Sequence, residues 1–94
     1  MIKGFRNKQT ELIWLGETTR HLPQHIQKTA RRKLRMLNNA GFLSDLKIPP
    51  ANRLEALRGD RLGQYSIRIN DQWRVCFLWR DGHAHNVEIV DYHS

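Results

Sequence analysis

Asp91, Tyr92 and His93 stand next to each other near the end of the sequence, with Glu55, Arg58, Arg68 and Arg74 upstream of them. A carboxylate, guanidinium groups and an imidazole are what a metal-independent cut of an RNA phosphodiester requires. A base must take the proton of the 2′-hydroxyl, cations must hold the charge gathering on the phosphoryl oxygens, and an acid must protonate the departing 5′-oxygen. Glu55, set between basic residues in NRLEALRGDR, is the candidate base. Arg58, Arg68 and Arg74 are candidate phosphate clamps, because a planar guanidinium grips phosphate bidentately. His93 is the candidate acid, since an unperturbed imidazole titrates at about pH 6.5.

Each residue also has a plainer use. Glu55 can pair with a nearby arginine on a solvated face, Arg74 can decorate the polar side of a sheet, and His93 can lie on a frayed tail. The elements that carry them separate the two readings. Tyr65, Ile67 and Ile69 alternate with Ser66, Arg68 and Asn70, and Trp73, Val75, Phe77 and Trp79 alternate with Arg74, Cys76, Leu78 and Arg80, which predicts two half-buried strands. Asp81-Gly82 is a two-residue hairpin signal leading into a last strand. Pinned there, Asp91 to His93 stand at a strand end, where chemistry can be held in place.

Upstream, Ile2 to Phe5 reads as a short strand and Lys8 to Leu15 as a helix ending near Gly16. Ile26, Ala30, Leu34 and Leu37 recur at helical spacing after Pro23 and predict an amphipathic helix ending near Asn38, with its basic residues on the other face. Ile48 to Asn52, with two prolines, reads as an extended connection. The sum is an α+β domain spanning residues 1–94, two N-terminal helices packed on one face of a twisted antiparallel sheet.

A net charge of +7 on 94 residues draws polyanions. From Thr18 to Ser44 there is no acid, and Lys28, Arg31, Arg32 and Arg35 make a basic helix face suited to backbone attraction. Such a face is equally an ordinary solvated one, or a site for an acidic protein. A single cysteine, Cys76, forms no internal disulfide and is expected to be buried and inert. No secretory signal or apolar run of about 18 residues is present, so a cytoplasmic protein with no membrane partner is expected. His83 and His85 lie two apart, too few for a metal site, and no cofactor is expected.

The runs RLEALRGDR, QYSIRINDQWRVCF and VEIVDYH, in this order and at these separations, resemble the RelE/ParE toxin superfamily, and most closely its HigB-type members. The resemblance covers nearly the whole chain. It implies a RelE-like microbial ribonuclease fold and a ribosome-dependent endoribonuclease that cuts mRNA in the ribosomal A site. It also implies a cognate HigA-type helix-turn-helix antitoxin. Carried over by position, the terminal Asp-Tyr-His falls on Asp91, Tyr92 and His93, the arginine of the WR pair on Arg74, and the basic residue of the L-x-x-L-K/R-G run on Arg58. Glu55 departs from the pattern: some HigB-type toxins have histidine there, whereas YoeB-type relatives have glutamate. In that frame Tyr92 stacks on a base or orients the phosphate, Asp91 fixes the His93 tautomer, and the basic helix docks on ribosomal RNA. Two further classes stay open: a ParE-like inhibitor that binds a topoisomerase without chemistry, and a basic RNA-binding module.

Overall fold

The computed structural model describes residues 1–92. Helix α1 (Lys8–Trp14) begins where the Asn7 side chain accepts the Thr10 amide at 2.9 Å, an N-cap that satisfies an otherwise orphaned donor. It ends before Gly16, whose φ of 87° is left-handed. Helix α2 (Gln24–Asn39) follows Pro23 and buries Ile26, Ala30, Leu34 and Leu37, as their spacing predicts. Lys33 and Gln27 are buried on the same face, so the basic residues of α2 do not all lie on the opposite side.

Strands β1 (Glu55–Ala56), β2 (Gln64–Arg68), β3 (Trp73–Arg80) and β4 (His83–Asp91) form an antiparallel sheet in the order β1-β2-β3-β4. Asp81 and Gly82, with φ of 54° and 79°, turn the β3–β4 hairpin in the geometry that matches strand twist. The first segment, expected as a strand, makes only two isolated parallel bridges to β4, Ile2 to Ala84 and Phe5 to Val87, because the chain soon turns into the Asn7 cap. A 3₁₀ turn, Leu43–Lys47, follows α2, and the connection from Ile48 to Asn52, expected to be extended, is wound at its end into a second, Pro50–Asn52. Asp45 explains the first by accepting the amides of Gly41 and Phe42 at 3.0 Å each, and Pro50 pre-sets φ at the start of the second.

Register assigns the two faces of the sheet. Ile67, Val75, Phe77, Val87 and Ile89 meet Ile13, Ile26 and Leu34 in one core, and Phe77 is its largest fully buried side chain. Truncating a phenylalanine buried in this way costs about 3–5 kcal/mol. Across the other face, Glu55 pairs with Ser66, Ser66 with Cys76 and Cys76 with Glu88, while Arg68 pairs with Arg74 and Arg74 with Val90. Phe77 lies opposite two residues of β4, Asn86 and Val87, with Asn86 at φ 50°. This bulge lets Ala84 and Val87 both turn to the core while Glu88, Val90 and Tyr92 keep to the open face.

Candidate active site

Arg74 is the fixed point of the open face. Only 9% of it is exposed, which for an arginine requires that its donors be satisfied. Nε donates to Ser66 Oγ at 2.8 Å, and Nη2 donates to the Arg53 carbonyl and to the Ser66 carbonyl. The guanidinium carbon lies 5.4 Å from the centroid of the Tyr92 ring, a cation–π contact strengthened by the loss of water. Tyr92 is held in turn by its amide, which donates to the Gln72 carbonyl at 2.6 Å, and its hydroxyl donates to Glu55 Oε1 at 2.9 Å.

Glu55, Tyr92 and Arg74, distant in sequence, therefore touch in series. Glu55, Ala56, Leu57, Arg58 and Tyr92 line a cleft of about 570 Å³ beside them. Burial, and then the hydrogen bond to the Glu55 carboxylate, raise the Tyr92 pKa above the ordinary phenol value, so Tyr92 remains a donor near neutrality. Arg58 is an exposed cation on the cleft wall. Arg68 stands opposite Arg74 in register, but it is ion-paired with Asp71 in the β2–β3 turn and does not line this cleft.

Asp91 Oδ2 accepts from Gln72 Nε2 at 3.1 Å and pairs in register with Trp73, on the face away from Tyr92. His93 lies outside the described residues, and so does its expected relation to Asp91. Lys28, Arg32 and Arg35 are exposed on α2 and, with Thr29 and Arg31, line a depression of about 470 Å³. Arg31, expected to act with them, donates to the carbonyls of Ile13 at 2.8 Å and Glu17 at 3.0 Å. It satisfies carbonyls at and beyond the end of α1, where a cation also complements the helix dipole.

Cys76 is buried as expected, and burial pushes its pKa up to about 11, which keeps it a thiol. The N-terminal amine meets His83 Nδ1 at 3.2 Å, and among the described residues no group of three or more His, Cys, Asp or Glu side chains could hold a metal ion. Among them, too, no helix is long and apolar enough to cross a membrane. Three residues of the site were not anticipated: Ser66, Lys33 and Asn52. Ser66 was within reach of the strand pattern, since it alternates onto the face of Arg68. Lys33 Nζ donates to Asn52 Oδ1 at 2.5 Å in the interior, a contact between distant elements that local periodicity does not reveal.

Residues 3–93 match the family model described as RelE-like toxin of type II toxin-antitoxin system HigB. Toxin HigB-1 of Vibrio cholerae serotype O1 is 42% identical over 87 residues, 92% of each chain. Endoribonuclease HigB of Proteus vulgaris is 29% identical over 93 residues, 99% of this chain and all of its own. Among solved structures, a chain of a YoeB–YefM complex from Staphylococcus aureus matches with a TM-score of 0.61 at 18% identity, covering 100% of this chain and 99% of that one. A YafQ mutant from E. coli matches with a TM-score of 0.61 at 12% identity, covering 97% of this chain and 93% of that one. At such identities the structural matches speak to fold alone, the helices-over-sheet architecture described above.

Proposed function

The chain belongs to the HigB-like toxins, the RelE-like toxins of type II toxin–antitoxin systems, and on that premise we propose that it is an endoribonuclease that cuts mRNA in the ribosomal A site without a metal ion. The contact series Glu55, Tyr92, Arg74 carries this reading: a carboxylate, a protonated phenol and a desolvated guanidinium meet beside one cleft. The Proteus vulgaris relative is named an endoribonuclease, which supports the same chemistry.

In this mechanism Glu55 takes the proton of the 2′-hydroxyl as the 2′-oxygen attacks phosphorus. Arg74 and Arg58 hold the charge that builds on the phosphoryl oxygens. With Nε and Nη2 of Arg74 bonded to the protein, a phosphoryl oxygen is met through Nη1. His93 then gives a proton to the 5′-oxygen as the bond from phosphorus to that oxygen breaks, leaving a 2′,3′-cyclic phosphate and a 5′-hydroxyl. Tyr92 orients the phosphate or stacks on a base, Asp91 fixes the His93 tautomer, and Arg68 gives a second phosphate contact by exchanging Asp71 for substrate.

With an accessible surface of 5897 Å², the protein has little area with which to grip and bend free RNA, so the ribosome supplies the substrate geometry. Lys28, Arg32 and Arg35 dock on ribosomal RNA. The cognate antitoxin is a HigA-type helix-turn-helix protein; a toxin–antitoxin complex among the structural matches supports an antitoxin partner in general. The test is a defined mRNA incubated with purified protein, with and without programmed ribosomes. Cuts at A-site codons ending in 2′,3′-cyclic phosphate, and little cutting of naked RNA, are the expected result. Equal cutting of naked RNA would remove the ribosome from the mechanism, and topoisomerase inhibition without cutting would favour the ParE-like reading.

A further inference from the structure

Arg74 does not hold itself in place. Its Nη2 anchor is the carbonyl of Arg53, a residue in the left-handed region at φ 43° and ψ 57°. A side-chain-bearing residue stays there only where its surroundings impose the conformation. The preceding residue, Asn52, is fully buried. Its Nδ2 donates to the Leu46 carbonyl at 3.1 Å and to Met36 Sδ at 3.0 Å, its amide donates to the Pro49 carbonyl at 3.0 Å, and its Oδ1 accepts from Lys33 Nζ. Lys33 is only 4% exposed and reaches inward from α2, where its described partner is an amide; no carboxylate among the described residues forms an ion pair with it. Burying an ammonium against a neutral group is costly, and burial, followed by the charges of Arg32 and Arg68, lowers its pKa. Core packing alone would be served as well by an apolar side chain.

We propose that Lys33 and Asn52 are positioning residues of the cutting site: together they lock the left-handed turn at Arg53, whose carbonyl aims the Arg74 guanidinium. The inference rests on the assignment of Arg74 to the phosphoryl group and goes beyond it, because it makes the rate of the chemical step depend on buried side chains that do not line the cleft. Lys33 lies on the same helix as Lys28, Arg32 and Arg35, so one element both carries the docking cations and supports the catalytic arginine.

The test is the single-turnover cutting of mRNA on programmed ribosomes, read as the rate at saturation and the ribosome concentration for half saturation. Lys33→Met and Asn52→Ala, checked for folding by circular dichroism, are expected to lower the saturated rate about 10- to 100-fold while changing the half-saturating concentration less than about threefold. Because these changes touch the core, an exposed pair provides the decisive comparison. Arg53→Val places a β-branched residue where φ is positive, whereas Arg53→Gly favours the turn and keeps the carbonyl. Arg53→Val is expected to cut at least tenfold more slowly than Arg53→Gly at saturation. Equal saturated rates for that pair, with Arg74→Ala inactive beside them, would overturn the positioning role and leave the active-site assignment standing. Wild-type cutting by Arg74→Ala would overturn both.

Discussion

Two regions of this molecule use cations in opposite ways. On the open face of the sheet Arg74 is buried, with two of its nitrogens bonded to the protein and an aromatic ring over it. On α2, Lys28, Arg32 and Arg35 stand in solvent, while Arg31 is bound to the carbonyls near the end of α1. The same charge thus serves three ends. A preorganised, desolvated guanidinium can stabilise a transition state, exposed charges can draw a polyanion, and a bonded one closes a helix. Net charge alone distinguishes none of these; the number of protein acceptors around each cation does.

The sharpest break of that comparison is Arg74→Ala, expected to reduce A-site cutting by about 10³-fold, with Arg74→Lys little better because lysine cannot reproduce the fork. Initial rates on programmed ribosomes would measure it. Glu55→Gln keeps an acceptor for the Tyr92 hydroxyl but is a poor base, and a loss of about 10²-fold is expected in the same assay. Changing Lys28, Arg32 and Arg35 together to Glu leaves the cleft intact and acts on association. Ribosome binding is expected to weaken about tenfold or more, with the slope of log affinity against log salt falling by roughly 2, as measured by sedimentation over a salt series. Arg31→Ala marks the contrast within α2: a stability loss of about 1 kcal/mol, a fall in Tm of roughly 4–8 °C, and cutting per folded molecule unchanged. The smallest effect belongs to Cys76. With its pKa near 11 it is a thiol at pH 7–8, and iodoacetamide is expected to leave the native protein unlabelled while labelling it in denaturant, read by mass spectrometry.

Local pattern was enough where one period ruled. The alternation through Tyr65 to Ile69 and Trp73 to Trp79, the Asp81-Gly82 turn and the Ile26-Ala30-Leu34-Leu37 stripe became β2, β3, the β3–β4 hairpin and α2. Pattern failed where distant partners decide. The two residues of β1 have no alternation to display and exist because β2 pairs with them. The prolines before Asn52 suggest an extended link, yet Pro50 starts a 3₁₀ turn there. Lys33 looks like a surface residue by type, and it is an interior one, bonded there to the buried Asn52. At the site, residue types nominated Glu55, Arg74 and Tyr92 separately. Their contact through the Tyr92 hydroxyl and ring is a product of the sheet register, with Glu55 opposite Ser66 and Arg74 on the neighbouring strand.

The most direct test of the division between chemistry and docking maps 5′ ends on a defined mRNA over a range of programmed-ribosome concentrations, for wild type, Arg74→Ala and the triple Lys28, Arg32 and Arg35 to Glu variant. The expected result is A-site cutting that Arg74→Ala fails to produce at any concentration, and that the triple variant regains as ribosomes approach saturation. Undiminished A-site cuts by Arg74→Ala would contradict the assignment of the Glu55–Tyr92–Arg74 cluster as the catalytic centre.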